Sequence, residues 1–192
     1  MSKVSERWPG SIGERFTALP DLLLDAASII GLGPTTVHTL LLLERYSWGG
    51  AEPFPALSTL AGQAGVKTRT LRGHMERLEN LGLIEAAERF DESGRRTSNR
   101  YSRSGLNEVL ELIEAVASDL TAKPGSRWYQ RDLRRALAPN TGAGGEFASL
   151  LAQLKVAGTA NRREREQRLH VRRKSTLATG VGGDSDPFGV LS

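Results

Sequence analysis

Leu60-Ala-Gly-Gln-Ala-Gly-Val66, Lys67-Thr-Arg-Thr-Leu-Arg-Gly-His74 and Met75-Glu-Arg-Leu-Glu-Asn-Leu-Gly-Leu-Ile84 form one continuous stretch, and its spacing decides the fold. Leu57, Leu60, Ala61 and Ala64 recur at i, i+3, i+4 and i+7, one apolar stripe of a short helix over 56–65. Leu71, Met75 and Leu78 do the same for a second helix running from Thr68 to about Leu81. Two short helices that cross steeply need a small residue where they touch, and Ala61 supplies it. The tight turn between them needs a residue that tolerates positive φ, and Gly65 supplies that. Val66 and Leu71 plug the second helix against the first. Gly82 suits a left-handed C-terminal cap, after which Leu83-Ile84 packs back as the start of a strand.

Upstream, Pro53-Phe-Pro55 forces an extended entry into this pair. A further helix is expected from Thr35 to about Trp48, with Pro34 in its first turn and Gly49-Gly50 ending it. Its apolar residues, Val37, Leu40 to Leu43 and Tyr46, are nearly continuous and mark burial on more than one side. Phe16 to Ile30 reads as a short extended piece and a helical turn capping the domain. Downstream, Glu85 to Phe90 continues extended, Asp91-Glu-Ser-Gly94 turns, and Arg100-Tyr-Ser102 returns, giving a small β-hairpin. Leu106, Val109, Leu110, Ile113, Val116, Ala117 and Leu120 then repeat at helical spacing. Lys123-Pro-Gly-Ser126 is a linker, Trp128 to Ala138 a short basic amphipathic helix, Pro139 to Gly145 a flexible break, and Glu146 to about Arg173 a long helix. The expected fold class is mainly α with a small β-hairpin. The expected organisation is a flexible arm (1–15), a core domain (16–103), a packing or dimerisation helix (104–122), a basic helical extension (123–174) and a disordered tail (175–192).

Charge is unevenly spread along the chain. Residues 67–103 hold nine Lys and Arg against six Asp and Glu, and residues 123–174 hold thirteen against four, while the whole chain is only +4. Two concentrated basic blocks in a nearly balanced chain point to a polyanion partner.

The stretch Pro55 to Tyr101 resembles the winged helix-turn-helix domains of bacterial plasmid and phage replication initiators and related transcriptional regulators. The residues that carry the likeness are Pro55, Leu60-Ala61, Gly65, Thr70, Leu78-Glu-Asn-Leu-Gly-Leu-Ile84 and Thr97-Ser-Asn-Arg-Tyr101. The chain departs from that pattern at Lys67, where a capping Ser or Thr is usual, and at the helix-weakening Gly73. The resemblance implies a winged helix-turn-helix with a C-terminal helical extension, and double-stranded DNA as the partner. In that arrangement the N-terminal half of the second helix sits deepest in the major groove, where its dipole favours phosphate.

The exposed face expected there carries Lys67, Thr68, Arg69, Thr70, Arg72, Gly73 and His74, followed by Arg77, with acid appearing only from Glu76 onward. Arg69 and Arg72 stand three apart and share a face, able to read guanine edges or clamp phosphates. Gly73 allows the helix to approach a nucleic-acid backbone closely. The hairpin adds Arg95, Arg96 and Arg100, with Ser98 and Asn99 as phosphate donors or, for Asn99, as a turn-forming residue. The C-terminal basic block (Arg162, Arg163, Arg165, Arg168, Arg172, Arg173, Lys174) reads either as a nucleic-acid-tracking helix or as a solvated, internally paired surface; the former is favoured.

Other chemistries find little footing. With no cysteine there is no disulfide framework, thiolate zinc site or thiol nucleophile. His38, His74 and His170 are far apart, without carboxylates at ligand spacing, so no metal is expected. No phosphate-cradling Gly-Lys loop, nucleophile elbow or paired-acid motif occurs, so neither a catalytic residue nor a cofactor is expected and the chain reads as a non-enzyme. No apolar run reaches the roughly 20 residues of a membrane span, and the N-terminus lacks the apolar core of a secretory leader, so a cytoplasmic, nucleoid-associated protein is expected. The stripe from Gly105 to Leu120 suggests a homodimer. Asp184-Ser-Asp-Pro-Phe188 is similar to the acidic Pro-Phe tail of bacterial single-strand-binding proteins, although four residues follow the Phe, and it suggests a protein partner for the tail. The leading expectation is a sequence-specific duplex DNA-binding protein, a replication initiator of a mobile element or a transcriptional regulator. The competing one is an architectural adaptor whose winged domain docks protein and whose C-terminal arm binds nucleic acid without specificity.

Overall fold

The structure, a computed structural model, describes residues 17–47 and 51–178, with the side chains of 173 and 175–178 left aside. Among the described residues it is mainly helical, with one small antiparallel hairpin. Seven helices are formed: α1 (Asp21–Ala26), α2 (Pro34–Glu44), α3 (Leu57–Ala64), α4 (Thr68–Asn80), α5 (Ser104–Ala117), α6 (Arg127–Ala136) and α7 (Gly142–Ala178). The strands β1 (Glu85–Ala87) and β2 (Arg100–Ser102) lie between α4 and α5.

α2, α3 and α4 pack on one another, and their contact is what the apolar spacing requires. Leu60 and Ala61 of α3 are buried against Leu71, Met75 and Leu78 of α4 and Leu40 and Leu43 of α2. α3 ends at Gly65 with φ 66°, ψ 28°, a left-handed cap whose N–H returns to the last turn. Only there can the chain reverse within two residues and start α4 at Thr68 without a Cβ penalty. α2 stops at Glu44, earlier than the spacing predicts, and Arg45-Tyr46 close it as a turn.

β1 and β2 pair with Glu85 opposite Ser102, Ala86 opposite Tyr101 and Ala87 opposite Arg100. Ala86 and Tyr101 point inward, and burial pushes the Tyr101 phenol up to about 12, with the Glu79 carboxylate adding to the effect. Pairing resumes at the far end through Phe90 and Arg96. There Asp91 closes the turn: its Oδ1 accepts from the Ser93 N–H, the Ser93 hydroxyl and the Arg95 N–H. Those bonds, the Ser93 hydroxyl first, hold the Asp91 carboxyl below its ordinary value. The Tyr101 N–H also donates to the Pro53 carbonyl, so the extended Pro53–Pro55 entry lies along β2.

The C-terminal third differs from its expected form in three ways. The simplest is that α7 runs to Ala178, past the end expected near Arg173 and into the segment expected to be disordered. Residues 179–192, with the acidic Pro-Phe motif at 184–188, lie outside the described residues. The segment 139–145 is not a flexible break. α7 already starts at Gly142, the Thr141 hydroxyl accepts from the Gly144 N–H as a helix cap, and a Cβ at Gly144 would strike the Ala138 carbonyl. That glycine serves a close approach, not freedom. Nor does α7 stand apart as an arm: it packs across α4, α5 and β1. Its crossing is backbone on backbone. A Cβ at Gly158 would collide with the Glu79 carbonyl, one at Gly82 with the Leu154 backbone, and one at Gly105 with the Gly82 carbonyl. Of the α5 stripe, Leu106, Val109, Ile113 and Ala117 are buried under α7, α1 and α6, while Leu110, Val116 and Leu120 are half-buried against the same core. The chain itself therefore covers most of the face expected to pair two copies.

No helix of the described residues is long and apolar enough to cross a membrane, and no cluster of three His, Asp or Glu that could hold a metal ion occurs among them.

Candidate nucleic-acid interface

α4 turns Leu71, Met75, Leu78 and Glu79 inward, which fixes what faces out. Lys67, Arg69, Thr70, Arg72 and Gly73 are exposed, and Thr68 is half-buried. Among the described residues the side chains of Lys67, Arg69 and Arg72 make no hydrogen bond or ion pair with the protein. Lys67 precedes the helix with φ −67°, ψ 144°, and no side chain caps the first turn, so its N–H groups remain open to an anion beside three cations. A Cβ at Gly73 would meet nothing within 4 Å, so nothing in the fold requires a glycine there.

His74 and Arg77 are placed differently. The His74 ring lies 3.2 Å through Nδ1 from the hydroxyl of buried Thr36 on α2, and Arg77 donates to the Gly31 carbonyl at 2.7 Å. Both tie α4 to the segment around α2. Neither is a free cation on the Arg69 face.

The hairpin residues divide in the same way. Arg95 is exposed at the turn, and its guanidinium has no hydrogen-bond partner among the described residues. Arg96 donates to the Asn99 amide oxygen at 3.1 Å and faces Glu88 at 3.8 Å, an ion pair too long to be a hydrogen bond, which leaves the buried Glu88 Oε1 without one. Ser98 donates to the Phe54 carbonyl at 2.6 Å, and Arg100 pairs with Glu52 at 2.8 Å. Ser98 and Arg100 thus fasten the hairpin to the Glu52–Phe54 entry, and Asn99 braces Arg96 within the hairpin. Arg89, which sequence reasoning did not single out, stacks 3.9 Å over the Phe54 ring and strengthens the same seam.

The acidic end of α4 is covered by α7. Arg162 reaches Glu76 at 3.6 Å and donates to Asn80 at 3.1 Å, while also holding Glu166 at 2.9 Å. Arg165 pairs with Glu79 at 2.5 Å and donates to the Ala86 carbonyl at 3.1 Å. Glu79 is buried, and that burial raises its carboxyl pKa even though Arg165 opposes the rise. Arg168 pairs with Glu164 along α7, and Arg172 stacks 4.4 Å over Phe90. Arg162 and Arg165 therefore hold α7 on the fold and neutralise α4 acids, a role that needs no nucleic acid. The signal was present, since Glu76 and Glu79 sit on one flank of α4, but their partners lie some eighty residues away.

The result is a polarised surface. An acid-free, unpaired cationic patch (Lys67, Arg69, Arg72) occupies the start of α4, Arg95 stands at the hairpin turn, and the acids of α4 are capped by α7. The groove along that seam, of about 510 Å³, mixes Glu79, Glu85 and Glu88 with Arg162, Arg165 and Arg168 and is lined by the latch itself. Compared with known protein families and with curated proteins, the chain matches none.

Proposed function

We propose that this chain is a sequence-specific double-stranded DNA-binding protein with a winged helix-turn-helix arrangement, serving replication initiation of a mobile element or transcriptional regulation. In this reading α3 and α4 are the helix pair, α4 is the recognition helix and β1–β2 the wing. The observation that carries it is the state of Lys67, Arg69 and Arg72: three exposed cations at the uncapped start of α4, unpaired although Glu76 stands one turn beyond Arg72, the α4 acids being held by Arg162 and Arg165 instead. A solvated basic face would be expected to use its own acids. Arg69 and Arg72 read base edges or clamp phosphate, Lys67 and Thr70 contact the backbone, Gly73 lets the helix approach closely, and Arg95 reaches flanking phosphates. His74, Arg77, Ser98, Asn99 and Arg100 position these elements.

The test is a mobility-shift titration of the full chain on random duplex and on duplexes enriched by selection. A tighter complex on enriched duplex, by about 10³-fold or more, is expected of a specific binder. Equal affinity for all duplexes would remove the specificity claim, and would favour the architectural alternative.

A further inference from the structure

We propose that α6 presents a second nucleic-acid surface, specific for single strands: Trp128 set among Arg127, Arg131, Arg134 and Arg135. The surface is separate from α4, and the proposal does not rest on the duplex reading. Helical geometry places these five side chains on one arc of about 120°. The opposite arc is committed, because Tyr129, Leu133 and Leu137 are buried against the core. Ser126 caps the helix by accepting from the Tyr129 N–H at 3.1 Å, so the outward arc is held at a fixed angle. Gln130 fastens α6 to Asp25 of α1 at 3.3 Å, and Arg134 fastens it to Ser28 in the following turn at 2.7 Å.

Four guanidiniums on one arc repel one another at i,i+3 and i,i+4 spacing, which opposes the helix. Asp132, bonded to Arg131 at 3.0 Å, is the one acid on α6. Arg127 and Arg135 have no carboxylate partner among the described residues. The arrangement gains most from an anionic partner that spans the arc. The indole then selects which polyanion. Trp128 is 50% exposed, with the Arg127 and Arg131 guanidiniums each 4.6 Å from its ring centre. In a duplex the base faces are already covered by their neighbours, so such a ring finds none to stack on. An unstacked base can displace a guanidinium that lies over the ring and stack in its place, while the arginines turn to the adjoining phosphates. A lipid surface fits poorly, because the apolar flank of α6 is turned inward.

The test is anisotropy of a labelled oligothymidylate of about 12 nucleotides titrated with the full chain and with Trp128→Ala, Trp128→Phe and Arg127→Gln/Arg131→Gln. The expected result is a loss of about 5- to 100-fold for Trp128→Ala, with Trp128→Phe retaining most of the affinity. The double arginine variant should flatten the slope of log affinity on log salt by about 0.7 per guanidinium removed. Affinity for duplex should be unchanged in the Trp128 variants. Wild-type affinity in both Trp128 variants would overturn the proposal. So would tighter binding to phosphatidylglycerol vesicles or to oligoglutamate than to oligothymidylate. Should Trp128→Ala fail to fold, the arginine pair decides: no change in affinity or salt slope in it would overturn the proposal. Loss of duplex binding in α4 variants with oligothymidylate binding intact would separate the two surfaces.

Discussion

Gly73 lies on the exposed face of α4, with open space where a Cβ would stand. Ala there should stabilise the fold by about 1 kcal/mol, because glycine is that much poorer in a helix interior. The same Cβ would stand between α4 and a closely approaching DNA backbone, so Gly73→Ala should raise the unfolding midpoint while weakening duplex binding several-fold. A stabilised variant with unchanged affinity would show that nothing approaches this face. Arg72 and Glu76, four apart on α4, could pair with each other, yet Glu76 is held by Arg162 at 3.6 Å. Arg162→Ala should release Glu76 to Arg72 and lower duplex affinity several-fold, with a loss of stability on the order of 1 kcal/mol because the half-buried guanidinium also bonds Asn80 and Glu166. Adding Glu76→Gln should restore the affinity. Residues whose role is local were legible in the chain: Ala61 at the helix contact, Gly65 in the turn, and the free cations from Lys67 to Arg72. His74 and Arg77 were not separable from them, because the partners that engage them, Thr36 and Gly31, lie 38 and 46 residues away.

Among the elements, α7 is the one whose setting the sequence conceals. Its existence follows from Phe147, Leu150, Leu151 and Leu154, but its charge pattern suits a free basic arm as well as a latch. What distinguishes them is the meeting of Gly82, Gly105 and Gly158, three glycines with no sequence relation to each other, and the ion pair of Arg165 with buried Glu79. That pair has a titration signature. Burial raises the Glu79 carboxyl above 4.5 in the fold, against the opposing pull of Arg165. Between that ordinary value and the raised one the folded state binds more protons than the unfolded state, so this group makes stability fall as pH rises through the window. Urea unfolding at a series of pH values from about 4 to 7 should show this fall in the wild type and its absence in Glu79→Gln. Parallel curves for the two proteins would contradict the burial assigned to Glu79. The hairpin, by contrast, was legible as an element, since Asp91 to Gly94 carries its own turn chemistry. Its seam to Phe54 was not, because it depends on Ser98 and Arg89 reaching across more than thirty residues.

For the whole molecule, the α5 stripe gathers α1 to α4, the hairpin, α6 and the first half of α7 around one shared core. Periodicity announced the stripe but could not say which surface covers it, since a second copy and a distant helix bury the same side chains equally well. Ile113 is fully buried under this cover. Ile113→Ala should cost about 2–5 kcal/mol, and the unfolding midpoints of wild type and variant should not depend on protein concentration. A midpoint that rises with concentration would mean that a second copy contributes to the core. The same packing gives the molecule its polarity, with bare cations at the start of α4 and the acids at its end neutralised from α7. The most direct test of that polarity is the ratio of affinities for an enriched duplex and its scrambled counterpart, measured at one salt concentration for wild type and for Arg69→Ala/Arg72→Ala. Each arginine that reads a base edge is worth about 1–3 kcal/mol of discrimination, so the ratio should fall by about tenfold or more in the double variant while residual non-specific binding survives. An undiminished ratio in a folded double variant would contradict the assignment of α4 as the reading helix.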